Sequence, residues 1–269
     1  MAQKGRVRVG AVSYLNTKPL IYPLSNNCLM QSEEEIELFL DYPSRLADDL
    51  KIGNLDVALI PIIEYFRNPG YRIVPHISIS SRGPVRSIRL FTNAPIESIR
   101  RVALDTSSRS SRALVQIWLA EKYHLHPEFT PCSPSVDPWS VDADAVLLIG
   151  DAAMGLSCRA DSALDLGAEW QEFTGLPFVY ACWSAREGVN LRSVPQMLQC
   201  AKQLGINKIP EIARIEAQKL SLPEDICQDY LTNHIFYDLG GAEIAGMMKF
   251  YDLAVKYDLA VPGMVAEFV

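Results

Sequence analysis

The chain has 269 residues, 49% of them hydrophobic and 21% charged, and carries a formal net charge of -7. Those totals support a buried core and exclude wholesale disorder, and a length near the ~250–300-residue ceiling of a single core favours two domains. The acidic balance excludes the basic face that a nucleic-acid binder needs, so an anionic ligand must be held by local donors rather than by a global field.

The opening "MAQKGRVRVG" lacks the apolar stretch and cleavage site of a secretory leader. No apolar run approaches the ~18 residues of a membrane span. The expectation is a cytoplasmic protein with neither a membrane nor a nucleic-acid partner. "VRVGAV" reads as the first strand and runs into a polar loop, Ser13, Tyr14, Asn16 and Thr17. "IELFLD" is a second strand, and "SRLADDLKIG" is a helix with Leu46, Ala47 and Leu50 on its apolar face and Gly53 as its stop. The strands "LDVALIP", "YRIVPHISIS" and "SIRLFT" follow, with a Gly83-Pro84 turn before the last. "RRVALD" is a strand that ends in Asp105-Thr106-Ser107-Ser108-Arg109-Ser110-Ser111. The helix "SSRALVQIWLAEKYHL" then carries Ala113, Leu114, Ile117, Trp118 and Ala120 at helical spacing. "DAVLLIG" and "FVYACWS" are the last strands, and beyond about residue 185 four helical patterns punctuated by Gly and Pro make an all-helical tail.

Most strand runs are nearly continuous in apolar residues, as in parallel strands covered on both faces, and strands alternate with helices, which gives the class α/β. Two α/β lobes follow, one discontinuous (residues 1–90 plus 185–269, with the helical tail) and one formed by residues 91–184. The chain crosses between them at "VRSIRLFTNAP" and "PFVYACWSA", leaving a cleft at the carboxyl ends of the strands, where ligands bind in such folds.

Four places in the sequence carry chemistry. In the opening loop, Ser13 and Asn16 either cap the following helix or face the cleft as donors. Ser87 opens a strand at the first crossing and is placed to touch a ligand from the hinge. The stretch from Thr106 to Ser111 crowds hydroxyls and the Arg109 guanidinium at a helix N-terminus, where free N–H groups and a positive partial charge favour a carboxylate or phosphate. Gly150 permits a close backbone approach, and Asp151 serves either as a base or as a helix N-cap. His76, His124, His126 and His234 lie at no metal-ligand spacing, and no HExxH, GxGxxG, GxSxG or Walker loop is present. The six cysteines, at 28, 132, 158, 182, 200 and 227, form no CxxC. Their even count leaves disulfides open, and Cys182 reads as a buried thiol. Neither a metal nor a cofactor is expected.

Seven stretches in order, "GAVSYLNTKPL", "DVALIPIIEYF", "ISSRGPVRSIRLF", "VALDTSSRSSRALVQIWL", "LLIGDAA", "DLGAEWQEFTGLPFVYACW" and "YLTNHIFYDLGGAEIAGMMKFYDLA", resemble the chorismate dehydratases of the futalosine route to menaquinone. The resemblance spans nearly the whole chain. It implies a type II periplasmic-binding-protein-like fold and conversion of chorismate to 3-enolpyruvylbenzoate and water, a lyase reaction that needs neither redox cofactor nor metal. It also implies that Asn16 and Ser87 hydrogen-bond the reacting centre. Ser13, Tyr14, Thr106, Ser107, Ser108, Arg109, Ser110, Gly150 and Asp151 are then the substrate-binding set, with Arg109 either pairing with a substrate carboxylate or lying outward. The base is either the substrate's own enolpyruvyl carboxylate or Asp151. Alternative readings are the dihydroxynaphthoate synthase of the same route, a solute-binding protein, and a transcription-regulator effector domain.

Overall fold

A computed structural model describes residues 6–25, 36–156 and 163–269. Two five-stranded mixed sheets organise the chain. The first has the order β2-β1-β3-β10-β4, from β1 (Val7–Val12), β2 (Ile36–Asp41), β3 (Val57–Pro61), β4 (Arg72–Ser81) and β10 (Phe178–Ala185). The second has the order β7-β6-β8-β5-β9, from β5 (Ile88–Thr92), β6 (Arg101–Asp105), β7 (Glu128–Cys132), β8 (Ala145–Ile149) and β9 (Ala163–Asp165). The two sheets repeat one plan. β1 pairs in parallel with β2 and β3, β6 pairs in parallel with β7 and β8, and in each sheet one strand next to an edge runs antiparallel to both its neighbours: β10 in the first, β5 in the second.

That shared exception has a geometric cause. β1, β3, β6 and β8 run towards the cleft and end there, at Val12, Pro61, Asp105 and Ile149. β5 and β10 are the strands by which the chain enters a sheet after crossing, so they start at the cleft side and run away from it. The sheet assignments also move the two crossings from their expected places. β5 belongs wholly to the second sheet and β10 wholly to the first, so the chain crosses in 82–87 and again between β9 and β10, not within β5 or at the end of β10. A strand that is hydrogen-bonded on both sides cannot be shared between sheets, so the change of sheet falls in the connectors.

The expectation of parallel strands is corrected in the same way. β10 reads as a nearly continuous apolar run yet is antiparallel to both its neighbours, β3 and β4, and β5 is likewise antiparallel to β8 and β9. Continuity of apolar residues reports cover on both faces, which helices give these strands whatever their direction; all eight residues of β10 are buried. β2 is an edge strand paired with β1 alone, and Phe39 and Leu40 on it are exposed.

The helices are α1 (Lys18–Ser25), α2 (Pro43–Ile52), α3 (Ile62–Tyr65), α4 (Ser110–Tyr123), α5 (Gly150–Gly155), α6 (Leu166–Thr174), α7 (Val194–Ile206), α8 (Ile209–Leu220), α9 (Glu224–Asp229) and α10 (Gly241–Lys256). α2 ends as expected at Gly53, in the left-handed region at φ 87°. The tail from α7 onward is helical apart from isolated bridges, Ser80 with Phe236 and Ile73 with Phe268, that tie it to β4. α7 lies so close to α1 that a Cβ on Gly205 would overlap the carbonyl oxygen of Pro19. The tail therefore packs onto the first lobe as part of its core. Among the described residues no helix is long and apolar enough to cross a membrane. Cys132, Cys182, Cys200 and Cys227 are free thiols, and Cys182 is fully buried as expected; Cys28 and Cys158 lie outside the described residues.

Candidate active site

The cleft between the sheets encloses about 480 Å³ of atom-free space, open mouth included. Three chain segments shape it, and each is held by hydrogen bonds that reach across the cleft.

The first is the opening loop. β1 delivers Val12 to the cleft wall, and the chain then makes a single 3-10 turn over Leu15–Thr17. Leu15 is fully buried and anchors the turn. Its N–H donates to both carboxylate oxygens of Asp151, at 3.0 and 3.3 Å. Tyr14 lays its ring over Gly150, where a Cβ would sit 3.1 Å from the ring and where φ is +69°. That glycine is required twice, by its left-handed backbone and by the close approach. The close neighbour at Gly150 is thus the Tyr14 ring, although Gly150 also lines the cleft. The Tyr14 hydroxyl donates to Ser107 Oγ at 3.1 Å. With Tyr14 and Leu15 pinned on the second lobe, Asn16 and Thr17 face the cleft, and the Thr17 hydroxyl donates to Asn16 Oδ1 at 3.1 Å.

The second segment is the crossing connector, residues 82–87. Asp165 accepts the N–H groups of Val85 (2.9 Å) and Arg86 (2.6 Å) while also capping α6 through Gly167 and Ala168. This grip holds Arg86 in the left-handed region, φ 62°, which a non-glycine residue adopts only when its surroundings impose it. The kink aims Ser87 into the cleft. The Ser87 carbonyl accepts the Gly150 N–H at 2.7 Å, and Ser87 Oγ accepts the Tyr230 hydroxyl at 2.8 Å.

The third segment is the hydroxyl-rich loop before α4. Asp105 is fully buried and accepts the Ser107 N–H (2.8 Å), the Ser107 hydroxyl (2.6 Å) and the Ile149 N–H (3.1 Å). Burial raises its pKa, against those three donors. It ties the ends of β6 and β8 together. Ser107 is committed to Asp105 and Tyr14, and Ser110 to the Ile63 N–H and the Tyr180 carbonyl. Both brace the cleft, although Ser110 also lines it. Ser108 and Ser111 line it as well; Ser108 Oγ accepts the Ser111 N–H at 3.3 Å, and the Ser111 hydroxyl has no partner among the described residues. Arg109 turns away and pairs with Asp48 (2.8 Å) and Glu64 (3.2 Å). Ser13 and Thr106 are exposed and line no part of the cleft.

Asp151 neither lines the cleft nor caps its own helix, since its carboxylate is turned onto Leu15. Burial pushes its pKa up to about 6, opposed by the Leu15 N–H and by Lys18, with Glu216 adding to the rise. The cleft walls are apolar, from Val12, Pro61, Ile79, Ile149 and Ala181, with neutral polar groups set among them. Among the described residues no carboxylate, imidazole, amine or guanidinium lines it, and no cluster of His, Cys, Asp or Glu could hold a metal ion. Such a cleft suits a small molecule with carboxylates, held by neutral donors and a helix N-terminus.

Sequence reasoning named Thr17 and Ser111 only as members of their loops, and it missed Tyr180 and Tyr230. Tyr180, whose hydroxyl is 2.9 Å from Ser81 Oγ, and Tyr230 looked like core residues, because what recruits them is a partner 99 and 143 positions away in the chain.

Comparison with known proteins agrees with this geometry. A family model described as menaquinone biosynthesis matches residues 7–256. The chain is 29% identical to the chorismate dehydratase of Campylobacter jejuni over 258 residues, covering 93% of this chain and 99% of the relative. It is 28% identical to the chorismate dehydratase of Thermus thermophilus over 218 residues, covering 72% and 78%. Among solved structures, a protein of Archaeoglobus fulgidus superposes with a TM-score of 0.75 at 19% identity, covering 94% of this chain and 98% of that one. The periplasmic aliphatic sulphonate binding protein of Escherichia coli superposes with a TM-score of 0.65 at 16% identity, covering 97% and 94%. These last two establish the fold: two α/β lobes about a cleft, as in periplasmic binding proteins. With a match that runs from β1 to the end of α10, the chain belongs to the menaquinone biosynthesis family.

Proposed function

We propose that this chain is a chorismate dehydratase, a carbon–oxygen lyase that converts chorismate to 3-enolpyruvylbenzoate and water. The observation that carries the mechanism is the absence of any ionisable carboxylate, imidazole or amine from the described cleft lining. Aromatisation of chorismate requires loss of the proton on the ether-bearing ring carbon and of the neighbouring hydroxyl. The proton is acidified because the electrons it leaves behind delocalise towards the ring carboxylate. With no protein base at hand, the enolpyruvyl carboxylate of the substrate removes it. The electron pair forms the new ring double bond, the C–O bond breaks, and the departing hydroxide with the transferred proton makes water. The protein orients and stabilises. Ser108, Ser111 and the start of α4 hold a carboxylate, the Asn16 amide stabilises the developing charge, and the Ser87 hydroxyl hydrogen-bonds the departing oxygen. On this reading Ser13, Thr106 and Arg109 touch no substrate, and Tyr14, Ser107, Ser110 and Asp151 act by bracing the cleft.

The test is direct. Purified chain is mixed with chorismate, loss of the cyclohexadiene absorbance is followed, and the product is identified by mass spectrometry. Stoichiometric formation of the aromatic enol ether is expected, and its continuation in the presence of a strong chelator. Unchanged chorismate would overturn the proposal.

A further inference from the structure

The tail residue Tyr230 has no part in any of the motif-based site assignments, yet its hydroxyl meets a side chain that the proposed reaction uses. It donates to Ser87 Oγ at 2.8 Å, and the turn Leu15–Thr17 that carries Asn16 packs against the turn that it opens. The residue is 1% exposed and lines no part of the cleft. A buried tyrosine needs a partner for its hydroxyl, and a backbone carbonyl would serve. Here the partner is a side chain that faces the cleft.

Three contacts set Tyr230 in place by pinning the tail along the end of β4 and the connector that follows it. Asp229 pairs with Arg86 at 2.8 Å, His234 Nδ1 lies 2.8 Å from the Pro84 carbonyl oxygen, and Phe236 bridges to Ser80. Between these anchors the helix widens. Tyr230–His234 forms a π-helical turn, closed by the Ile235 N–H on the Tyr230 carbonyl at 3.2 Å. Such widened turns insert an extra residue into a helix and recur at functional sites. The turn begins at the residue whose hydroxyl reaches Ser87.

We propose that Tyr230 is a positioning residue for the dehydration, fixing the direction of the Ser87 hydrogen bond. Ser87 Oγ accepts from Tyr230, so its own hydrogen is the one free to point at the departing oxygen. As negative charge grows there, the Tyr230 dipole behind Ser87 strengthens the Ser87 donor without being consumed. This inference rests on the proposed reaction, and its experiment separates the two.

The experiment is a kinetic cycle with wild type, Tyr230→Phe, Ser87→Ala and the double variant, assayed on chorismate. Tyr230→Phe keeps the ring and deletes the donor. Its kcat is expected to fall about 10–100-fold with KM within about threefold, the pattern of an interaction made mainly in the transition state. In the Ser87→Ala background the same change should cost at most about a third as many-fold, because its route through Ser87 is gone. Wild-type kcat in Tyr230→Phe, a rise in KM alone, or full additivity with Ser87→Ala would overturn the proposal. If Tyr230→Phe fails to fold, 3,5-difluorotyrosine at position 230 preserves the shape while strengthening the donor, and an unchanged kcat then overturns it. A wild-type chain that leaves chorismate intact overturns the reaction instead.

Discussion

Replacing Asp151 by Asn separates the two candidates for the base and has a calculable effect on stability. Burial raises the Asp151 pKa from 3.8 to about 6. Between those values the folded protein holds a proton that the unfolded chain has released, so the group's relative contribution to stability is full below pH ~4 and is lost as pH rises through ~6. A shift of about two units corresponds to about 3 kcal/mol at neutral pH. Lys18 and Glu216, which face the carboxyl, are already included in that balance. Asn does not titrate, and its side-chain oxygen can still accept the Leu15 N–H that Asp151 now holds at 3.0 Å. The Leu15 bond to the charged carboxylate is likewise part of that balance. The Asn variant should therefore match wild type near pH 4 and exceed it by about 3 kcal/mol at pH 7.5, roughly 6–12 °C in Tm. Thermal melts of both proteins from pH 4 to pH 8 measure this. Because the carboxylate faces Leu15 and not the cleft, kcat on chorismate should stay within about threefold of wild type. A stability difference independent of pH would refute the electrostatic argument. A kcat loss of 10²-fold or more with an intact fold would make Asp151 the base and refute the substrate-assisted mechanism.

Asn16→Ala should lower kcat by about 10²–10³ with KM nearly unchanged, the usual cost of losing one donor to a developing charge, and Asn16→Asp should be worse because its carboxylate would repel a dianion; a selective rise in KM in steady-state assays would contradict both. Ser111→Ala should raise KM about 2–10-fold at constant kcat, since it removes one ground-state hydrogen bond of about 0.5–1.5 kcal/mol; isothermal titration with the product gives the same quantity without turnover. Gly150→Ala forces a Cβ onto a backbone at φ +69° and against the Tyr14 ring. It should cost about 1–3 kcal/mol in denaturant unfolding and lower kcat, and a neutral result would show that the Tyr14 contact is not tight.

Much of the fold was legible because local pattern dictates it. The apolar runs at 7–12, 57–61, 101–105 and 145–149 are strands wherever they are placed, and the Gly53 stop and the helical spacing in 110–123 need no tertiary information. Motif order pointed to the family, and Asn16, Ser87, Ser108 and Gly150 were singled out because a polar residue at the end of a buried strand has the cleft before it. Strand direction was not legible. β5 and β10 carry the composition of covered strands, and only their place after a crossing makes them antiparallel.

Within a motif, the division between side chains that face the ligand and those that brace the cleft was also hidden. Ser107, Ser108, Ser110 and Ser111 are chemically alike and adjacent, yet Asp105 and Tyr14 claim the first, Ile63 and Tyr180 claim the third, and the second and fourth keep their faces to the cleft. Arg109 could be read as an anion ligand until Asp48 and Glu64 were seen to hold it. The Asp151 carboxylate accepts the Leu15 N–H from the other lobe, a contact that its own sequence neighbours do not announce. A residue's type and its neighbours in sequence determine which hydrogen bonds it is able to make. Which one it does make depends on groups delivered from 40 to 140 positions away, and only the packing of the two lobes brings those together.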